Sequence, residues 1–392
     1  MGEPEASPAI TPRRAVWTLG ITQLVGYGCT SYLPATLAAA QGQTLGVSTA
    51  FVFGAFSGAL LISGLLGPLT GRAVDRHGAR RPLAAGSIVL AVALVGMALS
   101  QNAGQLIAAW LLLGVGMSLA LYDIAFAGLV GWFGLEARKS ITGVTLIAGF
   151  ASTIAWPLTA WLEANLGWRD TALVWAAANL LIALPLHLTL PRQAPRPTSK
   201  VAEASPDAPQ PGMALQMVLL ATALAVMAGI GSIMGAHLPP LLIGIGASAT
   251  AAIVAGMLVG PAQVAARLAE FVLVRRIHPL VSARVAVALF PIGAGLLLVF
   301  GPLAAAPFAI LYGAGNGLFT IVRGTLPLVL FGAKNYGGRL GALNVPARLV
   351  GALAPLLFAL GLAKSEPWAL GVLIAACVLA LAFLFALRKP AP

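Results

Sequence analysis

Charge is what this sequence has least of. Only 9% of its 392 residues are Asp, Glu, Lys or Arg, against roughly a quarter in soluble domains. Hydrophobic residues make up 59% and the mean hydropathy is +0.94, so the composition is that of an integral membrane protein. Acidic groups are scarcer than basic ones, 11 against 23, for a net charge of +12. Such basicity suits nucleic acid only where the bases cluster, and here they do not. Eighteen of the 23 lie at ends of apolar runs that the pattern assigns to the cytoplasm, so the positive charge is topological and its polyanion is anionic lipid. The two cysteines, Cys29 and Cys377, sit inside apolar runs, which argues against a disulfide framework and against a metal site. There is no phosphate loop, nucleophile triad or pair of catalytic carboxylates, so neither a covalent enzyme nor a cofactor is expected.

What the chain has in abundance is apolar runs of membrane-crossing length. A bilayer core about 30 Å thick takes ~20 residues of helix, the backbone form that satisfies its own hydrogen bonds in lipid. Twelve such spans are predicted, near 15–38, 48–70, 82–100, 104–131, 139–162, 168–189, 213–236, 249–274, 280–300, 304–330, 340–362 and 367–387. Between the sixth and seventh, the stretch 191–212 carries Pro195, Pro197, Pro206, Pro209 and Pro211 with mixed charge, the composition of an extended or disordered linker. The expected organisation is a cytoplasmic tail at 1–14, a six-helix bundle at 15–190, the linker at 191–212, a second bundle at 213–388 and a tail at 389–392. The first span follows Arg13 and Arg14 and is long for a signal-peptide core, so it reads as a retained helix. Both termini are expected in the cytoplasm, with the protein in the inner membrane. Gly67-Pro68 before Pro82-Leu83 is echoed by Gly260-Pro261 before Pro279-Leu280, a weak internal repeat.

The densest charge in the first half is the turn from Gly71 to Leu83, wedged between spans 2 and 3. It sets Arg72, Arg76, Arg80 and Arg81 against Asp75, and short Arg-rich loops stay on the cytoplasmic side. The arginines need no more than an interfacial turn. Gly71, Gly78 and the lone Asp75 suit a tight turn and a carboxylate aimed at a neighbouring helix N-terminus. The pattern Gly-x-x-x-Asp-Arg-x-Gly-x-Arg-Arg, following the second span, resembles the loop between helices 2 and 3 of the major facilitator superfamily. The resemblance implies an all-α membrane protein of twelve transmembrane helices in two six-helix pseudo-repeats, moving a solute by alternating access as a monomer. It also implies that Gly71, Arg72, Asp75, Arg76, Gly78, Arg80 and Arg81 form a conformational latch between helices 2 and 11. Helices 1, 2, 4, 5, 7, 8, 10 and 11 would then line a central cavity.

Five ionisable residues fall inside spans: Asp123 in span 4, Arg267 and Glu270 in span 8, Arg323 in span 10 and Arg348 in span 11. Each costs at least ~2.5 to 3.5 kcal/mol on insertion scales, so each needs a partner, water or a substrate. At about 1.5 Å per residue, Arg267 lies roughly 12 Å from the interface marked by Arg275, Arg348 about 13 Å from Arg339 and Arg323 about 16 Å from Lys334. Gln263, Arg267 and Glu270 share a helix face, as do Tyr312, Asn316 and Arg323, and Gln23 and Tyr27. Two alternatives stand at this stage. Either Arg267 and Glu270 neutralise each other while Tyr and Asn glue helices together, or the arginines hold a small anion, because guanidinium forks pair with carboxylate or phosphate.

Gly260, Gln263 and Arg267 resemble the monocarboxylate porter and oxalate/formate exchanger branch, where a helix 8 arginine binds a substrate carboxylate. The porters carry an acidic residue where this chain has Gln263. The resemblance favours a small organic anion, probed by Arg348, Arg267, Arg323, Gln23, Tyr27, Tyr122, Asn316, Asn344 and Gln263. Movement would be coupled to protons or run as exchange, with Asp123 and Glu270 able to load and release a proton. Asp123 serves equally as a partner of Arg323. Proton-driven efflux of drug-like compounds is the alternative within transporters, and a non-transporting sensor or scaffold the alternative outside them.

Overall fold

The computed structural model describes residues 10–191, 212–273, 278–362 and 365–387. The tail before residue 10, most of the linker, Arg275 and Arg276, and the chain end from 388 lie outside the described residues. Fifteen α-helices follow one another among those described. The first nine are α1 (Pro12–Gly28), α2 (Leu33–Leu45), α3 (Thr49–His77), α4 (Arg80–Ala98), α5 (Ala103–Ala120), α6 (Tyr122–Phe133), α7 (Ala137–Ala148), α8 (Ala151–Ala178) and α9 (Leu184–Leu188). Six more follow: α10 (Met213–Gly244), α11 (Ala249–Leu273), α12 (Pro279–Phe300), α13 (Ala305–Phe331), α14 (Tyr336–Leu362) and α15 (Glu366–Ala386). Seven continuous helical stretches are long and apolar enough to cross a membrane, and two of them, Ala103–Leu188 and Pro279–Phe331, run far beyond one bilayer thickness and hold several spans each.

Several helices start where side chains offer caps. Thr11, Ser48, Asn102 and Ser365 each accept an N–H from the first turn, and Pro12 stands at a position where its missing N–H costs nothing. The expected spans differ from the helices in continuity. Span 1 is divided between α1 and α2, with the Thr30 hydroxyl donating to the Gly26 carbonyl at 2.6 Å across the interruption. Span 4 is divided between α5 and α6 by Leu121, whose backbone is extended (φ −87°, ψ −173°). Spans 5 and 6 meet inside α8 at Gly167, where φ is +79°.

Contacts divide the chain into two compact units. One contains the described residues up to 191 together with Gly332–Ala342, and the other those from 212 to Phe331 and from Leu343 onward. The sequence boundary assigns 332–342 to the second bundle, whereas its contacts group it with the first. The first unit packs Leu33, Leu90, Met97, Trp110, Met117 and Trp175 into its core. The second is centred on Phe290, Phe308 and Tyr312, whose rings lie 5.8 to 6.5 Å apart. Leu69, Val299 and Leu303 are exposed, which suits a chain whose outer surface meets lipid.

Prolines inside the helices create a second need. Pro355 has no N–H for the Gly351 carbonyl four residues earlier. Ser232 of α10 donates its hydroxyl to that oxygen at 2.6 Å, and His237, further along α10, bonds the Pro355 carbonyl at 3.0 Å.

Candidate substrate and coupling sites

In the second unit the site is built from close backbone approach. A Cβ on Gly313 or Gly317 would run into the α11 backbone at Val259 and Gln263, so the absence of both side chains lets α13 lie directly on α11. One turn further along each helix, Arg267 and Thr320 come within reach. Arg267 is 6% exposed, and its Nη2 donates to Gln263 Oε1 at 3.2 Å and to Thr320 Oγ1 at 3.3 Å. Thr320 passes its own proton to the Asn316 carbonyl at 3.0 Å. Arg267 Nε is buried with no hydrogen-bond partner, and among the described residues no carboxylate forms an ion pair with this guanidinium.

Glu270 is oriented otherwise. It is 5% exposed and accepts the Ser282 hydroxyl of α12 at 2.9 Å. Tyr312 donates to the Gly231 carbonyl of α10 at 3.5 Å, beside Asn316, so this end of the α13 face is taken up in helix packing. Arg323 lies on α13, and Asn344 and Arg348 on α14 one turn apart. Asn344 is 3% exposed, and neither atom of its amide has a hydrogen-bond partner.

In the first unit one face of α1 meets the interruption of span 4. Gln23 Nε2 donates to the Ala120 carbonyl at 2.7 Å. A Cβ on Gly26 would approach Leu121 to 3.1 Å, and the rings of Tyr27 and Tyr122 lie 4.7 Å apart. Asp123 stands in the first turn of α6.

The charged turn closes α3 at Gly78, where φ is +80°, and places Arg80 and Arg81 at the start of α4. Asp75 accepts the N–H groups of Gly337 at 2.9 Å and of Gly338 at 2.7 Å. The aliphatic stem of Arg72 packs against Gly338, and Gly71 lies backbone to backbone on Gly337. Arg76 is exposed beside Asp75.

Thr320, Ser282 and Ser232 are not singled out by the sequence. Thr320 does lie four residues after Asn316 and three before Arg323, on the face those two share. Ser282 and Ser232 carry no such signal.

Residues 19–322, which include the turn around Asp75, match the family model described as Major Facilitator Superfamily. The chain belongs to the major facilitator superfamily. It is a membrane transporter and not an enzyme, with the twelve-helix, two-repeat fold of that family and its secondary transport by alternating access. No curated protein matches the sequence. The solved structure of the proton:xylose symporter XylE bound to 6-bromo-6-deoxy-D-glucose is similar over 96% of both chains, with a TM-score of 0.75 and 14% identity. The human organic anion transporter MFSD10 (TETRAN) is similar over 97% of this chain and 100% of its own, with a TM-score of 0.72 and 16% identity. Likeness at such identities concerns the fold.

Proposed function

We propose that this superfamily member carries a small organic anion, a carboxylate by preference. The observation behind this reading is Arg267: a buried guanidinium, held by two neutral oxygens, with an unfilled Nε. A guanidinium stays charged at any working pH, and in lipid an uncompensated charge is costly. A carboxylate laid along its edge would fill Nε and supply the missing charge in one step. Glu270, the acid nearest in sequence, is engaged with Ser282. The fold does not choose the solute, since one structural relative moves a sugar and the other organic anions.

In this reading Arg323, Arg348, Asn316 and Asn344 belong to the candidate substrate-binding set of the second unit, and Gln23, Tyr27 and Tyr122 to that of the first. Asp123 and Glu270 are the carboxylates that couple the movement in this reading. The turn around Asp75 serves as the latch. The protein works as a monomer in the inner membrane, both termini cytoplasmic, with anionic lipid against its basic loops.

The test is binding and uptake by purified protein in liposomes, using mono- and dicarboxylates beside the corresponding neutral amides. Acids are expected to bind and amides not. Arg267→Ala should abolish binding and Arg267→Lys retain part of it. Equal binding of amides, or unchanged binding in Arg267→Ala, would overturn the reading.

A further inference from the structure

One face of α11 joins the Arg267 guanidinium to open space. Gly256, Gly260, Gln263 and Arg267 follow at spacings of four, three and four, so they stack on a single side of the helix. Side chains on a helix lean toward its N-terminus, and Arg267 does so, its Nη2 donating back to Gln263 Oε1 at 3.2 Å. The charge is thereby turned toward the two glycines. Where a Cβ would stand on Gly256 or Gly260, no atom of the described residues lies within 4 Å.

The ordinary reasons for a helical glycine do not account for this pair. A packing glycine meets a neighbour, as Gly313 and Gly317 meet the α11 backbone. A residue before a proline is relieved by lacking a Cβ, and Gly260 precedes Pro261, but Gly256 precedes Met257 and is just as open. A left-handed backbone favours glycine, and neither of these has a positive φ. Nor does the face suit lipid, since it carries a guanidinium and an amide. Val254, Leu268 and Val272, exposed and apolar, lie on the other side of α11. The polar end of the stripe has an opening for a ligand, because Arg267 is buried and its Nε has no hydrogen-bond partner.

We propose that Gly256 and Gly260 set the size of the transported anion, their missing side chains leaving a lane for its apolar body while its carboxylate sits on Arg267. With the guanidinium drawn up to Gln263, the lane reaches about 5 Å further at Gly260 and about 10 Å further at Gly256, at ~1.5 Å per residue. From Ala251 to Ala262 α11 carries no polar side chain, so this wall offers nothing to a second charge. The class is therefore a monocarboxylate with an apolar chain or ring of that reach, held by one polar anchor and an apolar wall. The lane stands on α11 alone. That its occupant is a carboxylate rests on the function proposed above.

The experiment pairs binding with thiol labelling. Octanoate, acetate and the dicarboxylate suberate are dialysed against the purified full chain in detergent, with protein-free micelles as the blank. Octanoate is expected to bind more tightly than the other two. Gly260→Val and Gly256→Leu should each weaken octanoate by about tenfold, the equivalent of ~1.4 kcal/mol, and leave acetate unchanged. The second variant has no adjacent proline and guards against a fold defect in the first. In liposomes, Gly256→Cys and Gly260→Cys should react with a charged methanethiosulfonate, more slowly when octanoate is present. Val254→Cys, on the far side of the helix, should not react, because a thiol attacks as its thiolate, which lipid does not support. Cys29 and Cys377 are buried, so the unaltered protein is the labelling blank. No reaction at either glycine position, or equal reaction at Val254→Cys, overturns the lane. Absence of octanoate binding, suberate binding as tightly as octanoate, or equal losses of octanoate and acetate in both variants overturns the size role. Equal binding of octanoate and its amide sinks the carboxylate reading instead, and the labelling and the losses in the two glycine variants then still decide the lane.

Discussion

Asp75 precedes Gly337 by 262 positions, yet its carboxylate accepts the Gly337 N–H at 2.9 Å and, through its second oxygen, the Gly338 N–H at 2.7 Å. These are the second and third residues of α14, whose first N–H groups have no partner within the helix. Asp75 therefore does what an N-cap residue does, from another helix and with a full negative charge at the positive end of the dipole. The contact needs close backbones. Gly67 faces Gly341 and Gly71 faces Gly337, and a Cβ at any of the four would strike main-chain atoms or come into tight contact with them.

Asp75→Asn follows from that geometry. An amide offers one acceptor and presents N–H donors where the second acceptor was, so one of the two backbone N–H groups loses its bond. As the proposed latch, Asp75 touches no substrate. The maximal transport rate should fall severalfold while the half-saturating concentration changes little. Uptake measured over a range of substrate concentrations separates the two effects, and a purely binding defect would contradict the role.

Gly71→Ala and Gly337→Ala should each destabilise by about 1 to 3 kcal/mol, the range for overpacking a tight contact. Gly256 has open space where a Cβ would lie, so Gly256→Ala should melt at or slightly above the temperature of the unaltered protein. Melting of the purified protein in detergent checks all three.

Which of these features a reader of the sequence could anticipate follows from how local their causes are. Apolar runs of about 20 residues announce helices because the bilayer imposes their length, and the Asp75 turn announces itself because charge is so rare around it. Arg267 is conspicuous for the same reason, and its four-residue spacing from Gln263 anticipates the shared face. Its competing three-residue spacing from Glu270 is equally good on paper. Only the tertiary arrangement, which gives Thr320 to Arg267 and Ser282 to Glu270, separates the two. The gap at Leu121 was invisible because its cause, Gln23, lies 97 positions before the carbonyl it captures. The serine at 232 is likewise explained only by a proline on a distant helix.

Thr320→Val removes the hydroxyl that holds Arg267 Nη2 while keeping the side-chain volume. Arg267 would keep Gln263 but gain freedom to swing, so the half-saturating concentration for a carboxylate should rise by roughly tenfold, the effect of losing a bond to a charged group worth about 1.5 to 3 kcal/mol in part. Thr320→Ser should restore most of the affinity, since it returns the oxygen. Equal loss in both variants would mean that packing, and not the hydrogen bond, is what position 320 supplies.

Ser232 and Pro355 give the sharpest test of the packing argument, because the need and its remedy lie on different helices. Ser232→Ala strands the part-buried Gly351 carbonyl, which Pro355 deprives of its helical partner, and an acceptor left open there costs about 1 kcal/mol, the low end of the range for buried groups. Pro355→Ala supplies an N–H four residues along, so the carbonyl regains a donor whether or not Ser232 is present. In that background Ser232→Ala should cost only a few tenths of a kcal/mol, and the two changes should be strongly non-additive in a double-mutant cycle. Melting temperatures of the four proteins decide it. If the serine change costs the same with and without the proline, the Ser232 hydroxyl is not serving the acceptor that Pro355 exposes, and its bond to Gly351 is incidental to the stability of the second unit.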